Sequence, residues 1–136
     1  MLAFLVAFVP SIFAPSGERN YTDTLGRCSY SEAVKELQDG TVLVECSQLR
    51  ASRDGRATYD FRYRGFGPGI RFSGELRGDT LIVEEATLRN GERRDARGEC
   101  RTFYVNGEVS VVTCLVTAGS QHFAVNFVPS PFDKQS

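Results

Sequence analysis

The sequence contains little of what a metal or redox centre requires. Its 136 residues include one histidine, His122, and four cysteines that lie far apart, at positions 28, 46, 100 and 114. None of them forms a C-x-x-C pair, and neither zinc sites nor redox-active dithiols are usually built without close spacing. We therefore expect no metal and no other cofactor.

Net charge is also small. The chain has 16 basic and 17 acidic residues, with a formal net charge of −1, so no general field attracts nucleic acid or an acidic membrane surface. The charge is unevenly distributed along the chain. Residues 50–101 contain 12 arginines and 9 acidic residues, which leaves this region a charge of 12 − 9 = +3. Nucleic acid is therefore not an expected partner. The excess of arginine in residues 50–101 makes this region the place to look for an anion site.

Long hydrophobic runs are absent except at the N-terminus. Residues 1–14 are apolar and uncharged, too short to span a bilayer but typical of a signal peptide, although no basic residue precedes them. The alternative is a buried N-terminal strand. We predict a signal peptide at 1–14, an extended lead-in at 15–26, one β domain at 27–128 and a tail at 129–136. The protein is then periplasmic or extracellular, with no stable membrane span.

The stretch 109–128 predicts the centre of the fold. Valine, threonine and phenylalanine dominate it, and such side chains suit a buried, pleated surface. A turn at 119–120 makes it a hairpin with one apolar face. The facing pairs are Val116 with Phe123, Cys114 with Val125, and Val112 with Phe127. The opposite face, with Val109, Val111 and Leu115, is apolar as well, which predicts a strand covered on both sides.

Short strands and turns alternate through the rest of the chain. The S-x-x-E pattern at 29–32 predicts the capping box of a short helix that ends at 39–40. A slip in the apolar alternation predicts a β-bulge at 84–85. Asn90-Gly91 predicts a hairpin, and the charged segment 92–99 predicts an edge strand or a loop. Seven or eight short strands predict an all-β antiparallel sandwich or small closed barrel with one short N-terminal helix.

An even number of cysteines in an exported chain predicts two disulfides. A three-residue loop at 106–108 would place Cys100 directly opposite Cys114, which predicts their bridge. Cys28–Cys46 then follows by elimination. It is also favoured because each half of the chain has a cysteine, a turn and a β-branched run that ends in cysteine.

Arginine and aromatic residues around 59–76 form the candidate ligand site. If Tyr63 pairs with Ile70, Arg62 lies directly opposite Arg71, and like charges in that position repel. Such a concentration of guanidinium groups suits carboxylate, phosphate or sulfate. The ligand-binding residues that we predict are Arg62, Arg64, Phe66 and Arg71. The alternative is that Asp60 and Glu75 neutralise the same face.

Signals for catalysis are weak. His122 lies beside a turn with no serine or cysteine nucleophile assigned to it, and adjacent residues Glu84 and Glu85 point to opposite faces unless the strand is bulged. We predict a non-catalytic binding domain whose ligand is a small molecule, an anion, a glycan, or a protein target such as an inhibitor has. The alternative is a small extracytoplasmic hydrolase with carboxylates from separate strands. Two carboxyl groups across one cleft would favour the hydrolase.

Overall fold

The computed structural model describes residues 21–36, 40–53 and 56–130. The predicted signal peptide at 1–14, the first part of the predicted lead-in, the end of the predicted helix and the tail beyond residue 130 lie outside the described residues. Within the described ranges, no helix is long and apolar enough to cross a membrane.

Nine strands and one short helix make up the described chain. In order they are β1 (Tyr21–Cys28), α1 (Glu32–Glu36), β2 (Thr41–Leu43), β3 (Gln48–Ser52), β4 (Ala57–Arg62), β5 (Ile70–Arg77), β6 (Thr80–Thr87), β7 (Arg93–Val105), β8 (Glu108–Ala118) and β9 (Gln121–Pro129).

Eight of these strands close into an antiparallel barrel in the order β1, β3, β4, β5, β6, β7, β8, β9. Closure is made by β1, which pairs with β3 through residues 21–25 and with β9 through residues 26–28. β2 is an additional strand that pairs in parallel with β9. The prediction of a small closed barrel is confirmed. The part of the predicted lead-in from Tyr21 onward is one of its strands.

The side chains that point inward fill the barrel. Phe61, Phe72 and Phe127 are fully buried, as are Leu81 and Val112. The ring centroid of Phe61 lies 6.1 Å from that of Phe72 and 6.3 Å from that of Phe127, within the range of favourable aromatic contact. Side chains therefore occupy the centre of the barrel.

The central hairpin has the predicted register, with Val116 opposite Phe123, Cys114 opposite Val125, and Val112 opposite Phe127. The prediction that β8 is covered on both sides is wrong. Leu115 on its outer face is 71% exposed, because a single-layer barrel has no second sheet to cover that face.

Residues 93–99 of the charged segment 92–99 form neither an edge strand nor a loop, so that prediction is wrong. They contribute to β7, and residues 98–101 pair with β6 on one side and β8 on the other. A barrel strand can be flanked on both sides and still expose its outer face to water. Outward-facing Glu99 and Arg101 accordingly form a salt bridge of 2.6 Å.

The predicted β-bulge and the predicted β7–β8 turn are both present, but the turn is one residue shorter than predicted. The pairings of β6 skip Glu84, since Ser73 lies opposite Glu85 and Gly74 opposite Val83, which confirms the bulge. The β7–β8 turn has two residues instead of three, Asn106 and Gly107, with φ of 53° and 82°. Both positive values are those of a type I′ turn.

Both predicted disulfides are confirmed: Cys28–Cys46 and Cys100–Cys114. Cys100 and Cys114 are directly opposite each other, as the hairpin register required. A register shift between Phe103 and Tyr104 restores that pairing after the shorter turn. Two disulfides are compatible with an oxidising compartment.

Helix α1 begins two positions later than the predicted capping box, in which Ser29 would be the N-cap. Ser31 is the N-cap, because its Oγ accepts a hydrogen bond of 3.2 Å from the backbone N–H of Val34. The described helix has only five residues and no buried side chain, so tertiary contacts outside it must position the chain here.

Candidate functional site

Three connections meet at one open end of the barrel. The β4–β5 loop contributes Tyr63, the β6–β7 turn contributes Arg89, and the segment between β2 and β3 contributes Glu45. Hairpin connections of an antiparallel barrel alternate between its two ends, so residues far apart in the sequence meet here. We refer to Glu45, Tyr63 and Arg89 as the rim cluster.

The rim cluster is held by its own contacts. The hydroxyl of Tyr63 donates a hydrogen bond of 2.8 Å to Oε1 of Glu45. Nη2 of Arg89 donates one of 2.6 Å to the carbonyl oxygen of Glu45, and the guanidinium lies 5.4 Å from the centroid of the Tyr63 ring, which is a cation–π distance. The hydrogen bond to Glu45 raises the pKa of Tyr63. The three side chains therefore form one connected polar unit.

Two clefts flank the rim cluster. The mouth cleft, of about 380 Å³, opens into the end of the barrel. Its apolar wall consists of Val42, Leu43, Val44, Ile70, Leu88 and Phe123. Gln121 and the rim cluster supply its polar groups. An apolar cleft with a few convergent polar groups is the usual form of a small-molecule site.

The seam cleft lies where β1 passes from β3 to β9, and its volume is about 730 Å³. It is more polar, with Arg27, Lys35 and Ser47 among its lining residues, together with the Cys28–Cys46 disulfide. Both clefts are lined by Leu43, Glu45 and Tyr63. Glu45 and Tyr63 of the rim cluster therefore form the boundary that the two clefts share, and Arg89 lines the mouth cleft.

Tyr30 fixes the segment that carries Glu45. Its hydroxyl lies 2.5 Å from the carbonyl oxygen of Val44 and 3.1 Å from that of Ala124 in β9. Burial raises the pKa of Tyr30 to about 12. The hydroxyl consequently stays protonated and can donate at neutral pH.

The predicted opposition of Arg62 and Arg71 is wrong, because the β4–β5 register differs by two residues. Phe61, not Tyr63, lies opposite Ile70, and Asp60 lies opposite Arg71. Tyr63 is consequently beyond the end of β4 and half-exposed. The longer loop removes the like-charge pair that the sequence predicted.

Asp60 instead stands between the two arginines. Its Oδ2 lies 3.5 Å from Nη1 of Arg62 and 3.5 Å from Nε of Arg71. Its Oδ1 accepts a hydrogen bond of 3.1 Å from the backbone N–H of Gly69. Burial raises the pKa of Asp60 more than Arg71 and Arg62 lower it. Of the two residues in the alternative interpretation, Asp60 provides a countercharge to Arg62 and Arg71, whereas Glu75 pairs with Arg77.

The other two predicted ligand residues lie in the β4–β5 loop. The backbone N–H of Arg64 donates a hydrogen bond of 2.9 Å to Oγ of Ser47. Phe66 is 80% exposed, and its backbone N–H bonds to the carbonyl of Tyr63. The structure therefore brings Arg62 and Arg71 together at Asp60 and leaves Phe66 at the tip of the loop. Whether these residues bind a ligand stays a prediction.

Acid–base groups are sparse in the two clefts. Among the described residues that line either cleft, Glu45 is the one carboxylate. His122 is exposed and shares a hydrogen bond of 2.9 Å with Thr117. Among the described residues, no three His, Cys, Asp or Glu side chains are grouped so that they could hold a metal ion.

The rim cluster could not be predicted from the sequence. Glu45, Tyr63 and Arg89 follow no motif and come from three separate connections. The only local signal was a tyrosine and two charged residues at strand ends, which is common on any surface.

Comparison with known proteins gives no relative: no family model, no curated protein and no solved structure matches this chain.

Proposed function

We propose that the protein is a non-catalytic binding domain that holds a small, largely apolar ligand at the open end of its barrel. The observation that carries this proposal is the mouth cleft, whose wall is apolar and whose polar groups are concentrated at the rim cluster. The apolar body of the ligand would lie against Val44, Ile70 and Phe123, and the rim cluster would orient a polar end. The filled barrel interior is consistent with a ligand at the mouth.

Binding is favoured over hydrolysis by the distribution of carboxylates. The alternative hydrolase needs two carboxyl groups that face each other across a cleft. The described lining residues of the mouth and seam clefts include a single one, Glu45, whose carboxylate accepts the hydrogen bond from Tyr63. That bond and the adjacent Arg89 suit an orienting role for Glu45.

We further propose that the protein acts in the periplasm or outside the cell, after removal of residues 1–14. The support is the pair of disulfides, which persist in oxidising compartments, together with the apolar, uncharged N-terminal sequence. N-terminal sequencing of exported protein tests this part of the proposal. Material that still begins at Met1 would contradict it.

Binding of the neutral fluorophore Nile red tests the mouth cleft. Val42 lines the cleft and is 42% exposed, whereas Val34 on α1 is 45% exposed and lines neither cleft. Val42→Glu places a charge against the apolar body of the probe and should weaken binding by roughly tenfold or more. Val34→Glu should bind as the wild type does. Equal binding by both variants, or none by the wild type, would reject the mouth cleft as the site.

A protein target is the second candidate function, supported by Phe66. This phenylalanine is the most exposed of the large hydrophobic side chains in the described chain, and its loop is bonded to the barrel through the N–H groups of Arg64 and Gly69. An aromatic side chain on an ordered loop can serve as an anchor in a partner's pocket. A pull-down experiment with the wild type and with Phe66→Ser tests this second function. It predicts a partner protein that the wild type captures and Phe66→Ser does not.

A further inference from the structure

A row of charged side chains runs around the outside of the barrel. Cross-strand pairing places one residue from each of six strands side by side on the outer face. The sign of the charge alternates along this row until its last three members, where an uncharged residue lies between two arginines. The row consists of Asp23, Arg50, Asp60, Arg71, Thr87 and Arg93.

Acidic partners occupy the first part of the row. Arg50 forms a two-bonded ion pair with Asp23, at 2.7 and 3.0 Å. Asp60 follows, next to Arg71. The same alternation would require an acidic residue between Arg71 and Arg93, but Thr87 has that position.

Arg71 and Arg93 are only loosely paired. Nε of Arg71 is 3.5 Å from Asp60, which is longer than an ordinary hydrogen bond, and Asp60 is shared with Arg62 and with the N–H of Gly69. Nη2 of Arg93 is 3.4 Å from Glu85. The side chains of Arg71 and Arg93 are 44% and 71% exposed. A guanidinium has five N–H donors, so each single long contact leaves most of that capacity for a ligand.

A cleft of about 460 Å³ lies over Thr87, and we call it the outer cleft. Arg71 and Arg93 both line it, on strands on either side of β6, so their Cα atoms are roughly 10 Å apart. Two long side chains at that distance can converge on one small anion. Hydroxyl groups of Thr58, Ser73 and Thr87 also line the outer cleft. Thr58 and Ser73 share a hydrogen bond of 3.1 Å, so one hydroxyl of that pair and the hydroxyl of Thr87 can donate to the same anion.

We propose that the outer cleft binds a compact oxyanion, sulfate or phosphate, either free or as a monoester. The anion takes the place in the row that an acidic side chain at position 87 would have. The two arginines and Glu85 give the cleft lining a charge of 2 − 1 = +1, and hydrogen bonds to charged groups are among the strong ones. This site is separate from the mouth cleft, from which Leu88 divides it.

Thermal unfolding and calorimetric titration of the full chain test the proposal. The probes are inorganic sulfate, inorganic phosphate and glucose 6-phosphate, with sodium chloride at equal ionic strength as the salt control. A ligand that binds only the folded protein raises its unfolding temperature, so saturable stabilisation by the oxyanions is expected. Stronger binding of glucose 6-phosphate than of inorganic phosphate would identify the monoester as the favoured form, and the reverse would identify the free anion.

Three variants locate the site. Arg71→Gln and Arg93→Gln should each weaken oxyanion binding by roughly tenfold or more, because each removes a charge-assisted hydrogen bond. Arg77→Gln is the matched control, since Arg77 lies on the same strand, pairs with Glu75 and does not line the outer cleft. Its binding should equal that of the wild type.

Thr87→Glu is the decisive variant, because it would place a carboxylate between the two arginines. It should unfold at a temperature no lower than the wild type and should lose its response to sulfate and phosphate. The proposal is overturned if Thr87→Glu still binds sulfate with the wild-type affinity. It is also overturned if Arg77→Gln loses binding as much as Arg71→Gln does, or if no oxyanion stabilises the wild type beyond the chloride control.

Discussion

The hydroxyl of Tyr30 lies 2.5 Å from the carbonyl oxygen of Val44, so one side chain near the start of α1 holds the segment that carries the rim cluster's glutamate. The same hydroxyl lies 3.1 Å from the carbonyl oxygen of Ala124. That oxygen also accepts a hydrogen bond from the N–H of Val44. Tyr30, Val44 and Ala124 thus join β9 to one wall of both clefts.

Tyr30→Phe should destabilise the protein by about 1–2 kcal/mol, since it removes a partly buried hydrogen bond and leaves carbonyl oxygens with one partner fewer. Urea unfolding measures the loss. Tyr63→Phe is the comparison, because its bond to Glu45 is exposed and should cost less. Equal stability of Tyr30→Phe and the wild type would contradict the anchoring role.

Tyr30 should also make the stability depend on alkaline pH. Its folded-state pKa is about 12, against an ordinary value of 10.0. The contribution of the protonated Tyr30 hydroxyl to the free energy of unfolding is fully present below pH 10. It is lost as the pH rises toward 12, because Tyr30 ionises at lower pH in the unfolded chain than in the folded one. The decline measured between these values should be smaller in Tyr30→Phe, and identical declines would argue against a buried, protonated hydroxyl.

The two disulfides should differ in what their removal changes. Each closes a short loop, with sequence separations of 18 and 14, and its loss should cost about 3 kcal/mol through the entropy of the unfolded chain. Replacement of Cys28 and Cys46 by alanine should also weaken Nile red binding, because this bridge ties the wall of the clefts to β1. Replacement of Cys100 and Cys114 should affect stability alone. Loss of binding in both double variants, measured where each is folded, would contradict this distinction.

Gly26 should be required for barrel closure. A Cβ at this position would lie 2.4 Å from the carbonyl oxygen of Val128 and 2.7 Å from the Cα of Pro129, and backbone atoms cannot move aside cheaply. Gly26→Ala should therefore destabilise the protein by about 2 kcal/mol or more, as overpacking does. Leu25→Ala is the neighbouring control, since Leu25 is 44% exposed and the truncation should cost less than Gly26→Ala. Similar unfolding midpoints for both variants would contradict the close approach of β1 and β9.

Asp60 should give the protein a pH dependence in the same direction as that of Tyr30. Because burial raises its pKa in the folded state, the stability linked to its protonation is present below the unfolded pKa and lost as the pH rises through the folded pKa. Asp60→Asn keeps an acceptor for the N–H of Gly69 but does not titrate. The stability of the wild type relative to Asp60→Asn should therefore fall with rising pH. A relative stability that grows with pH would show that Arg62 and Arg71 outweigh burial.

Much of the strand pattern could be predicted because it depends on neighbouring residues. The inward face of the central hairpin, the bulge at Glu84 and the Cys100–Cys114 bridge all follow from alternation and turn residues within one hairpin. The β4–β5 register could not be predicted in the same way. A shift of two residues keeps every side chain on its face, so the apolar pattern alone does not distinguish Asp60 from Arg62 as the partner of Arg71.

The sequence by itself determined the all-β class, the inward-facing residues of the central hairpin and the Cys100–Cys114 bridge, since these depend on alternation and turns over short distances. Cys28–Cys46 then followed by elimination. Only the tertiary structure decided that β1 closes the barrel against β9, because closure requires contact between distant ends of the chain. It likewise decided that Glu45, Tyr63 and Arg89 meet at the barrel mouth. Nothing local links these residues, and their proximity comes from strand order and the alternation of loops between the two barrel ends.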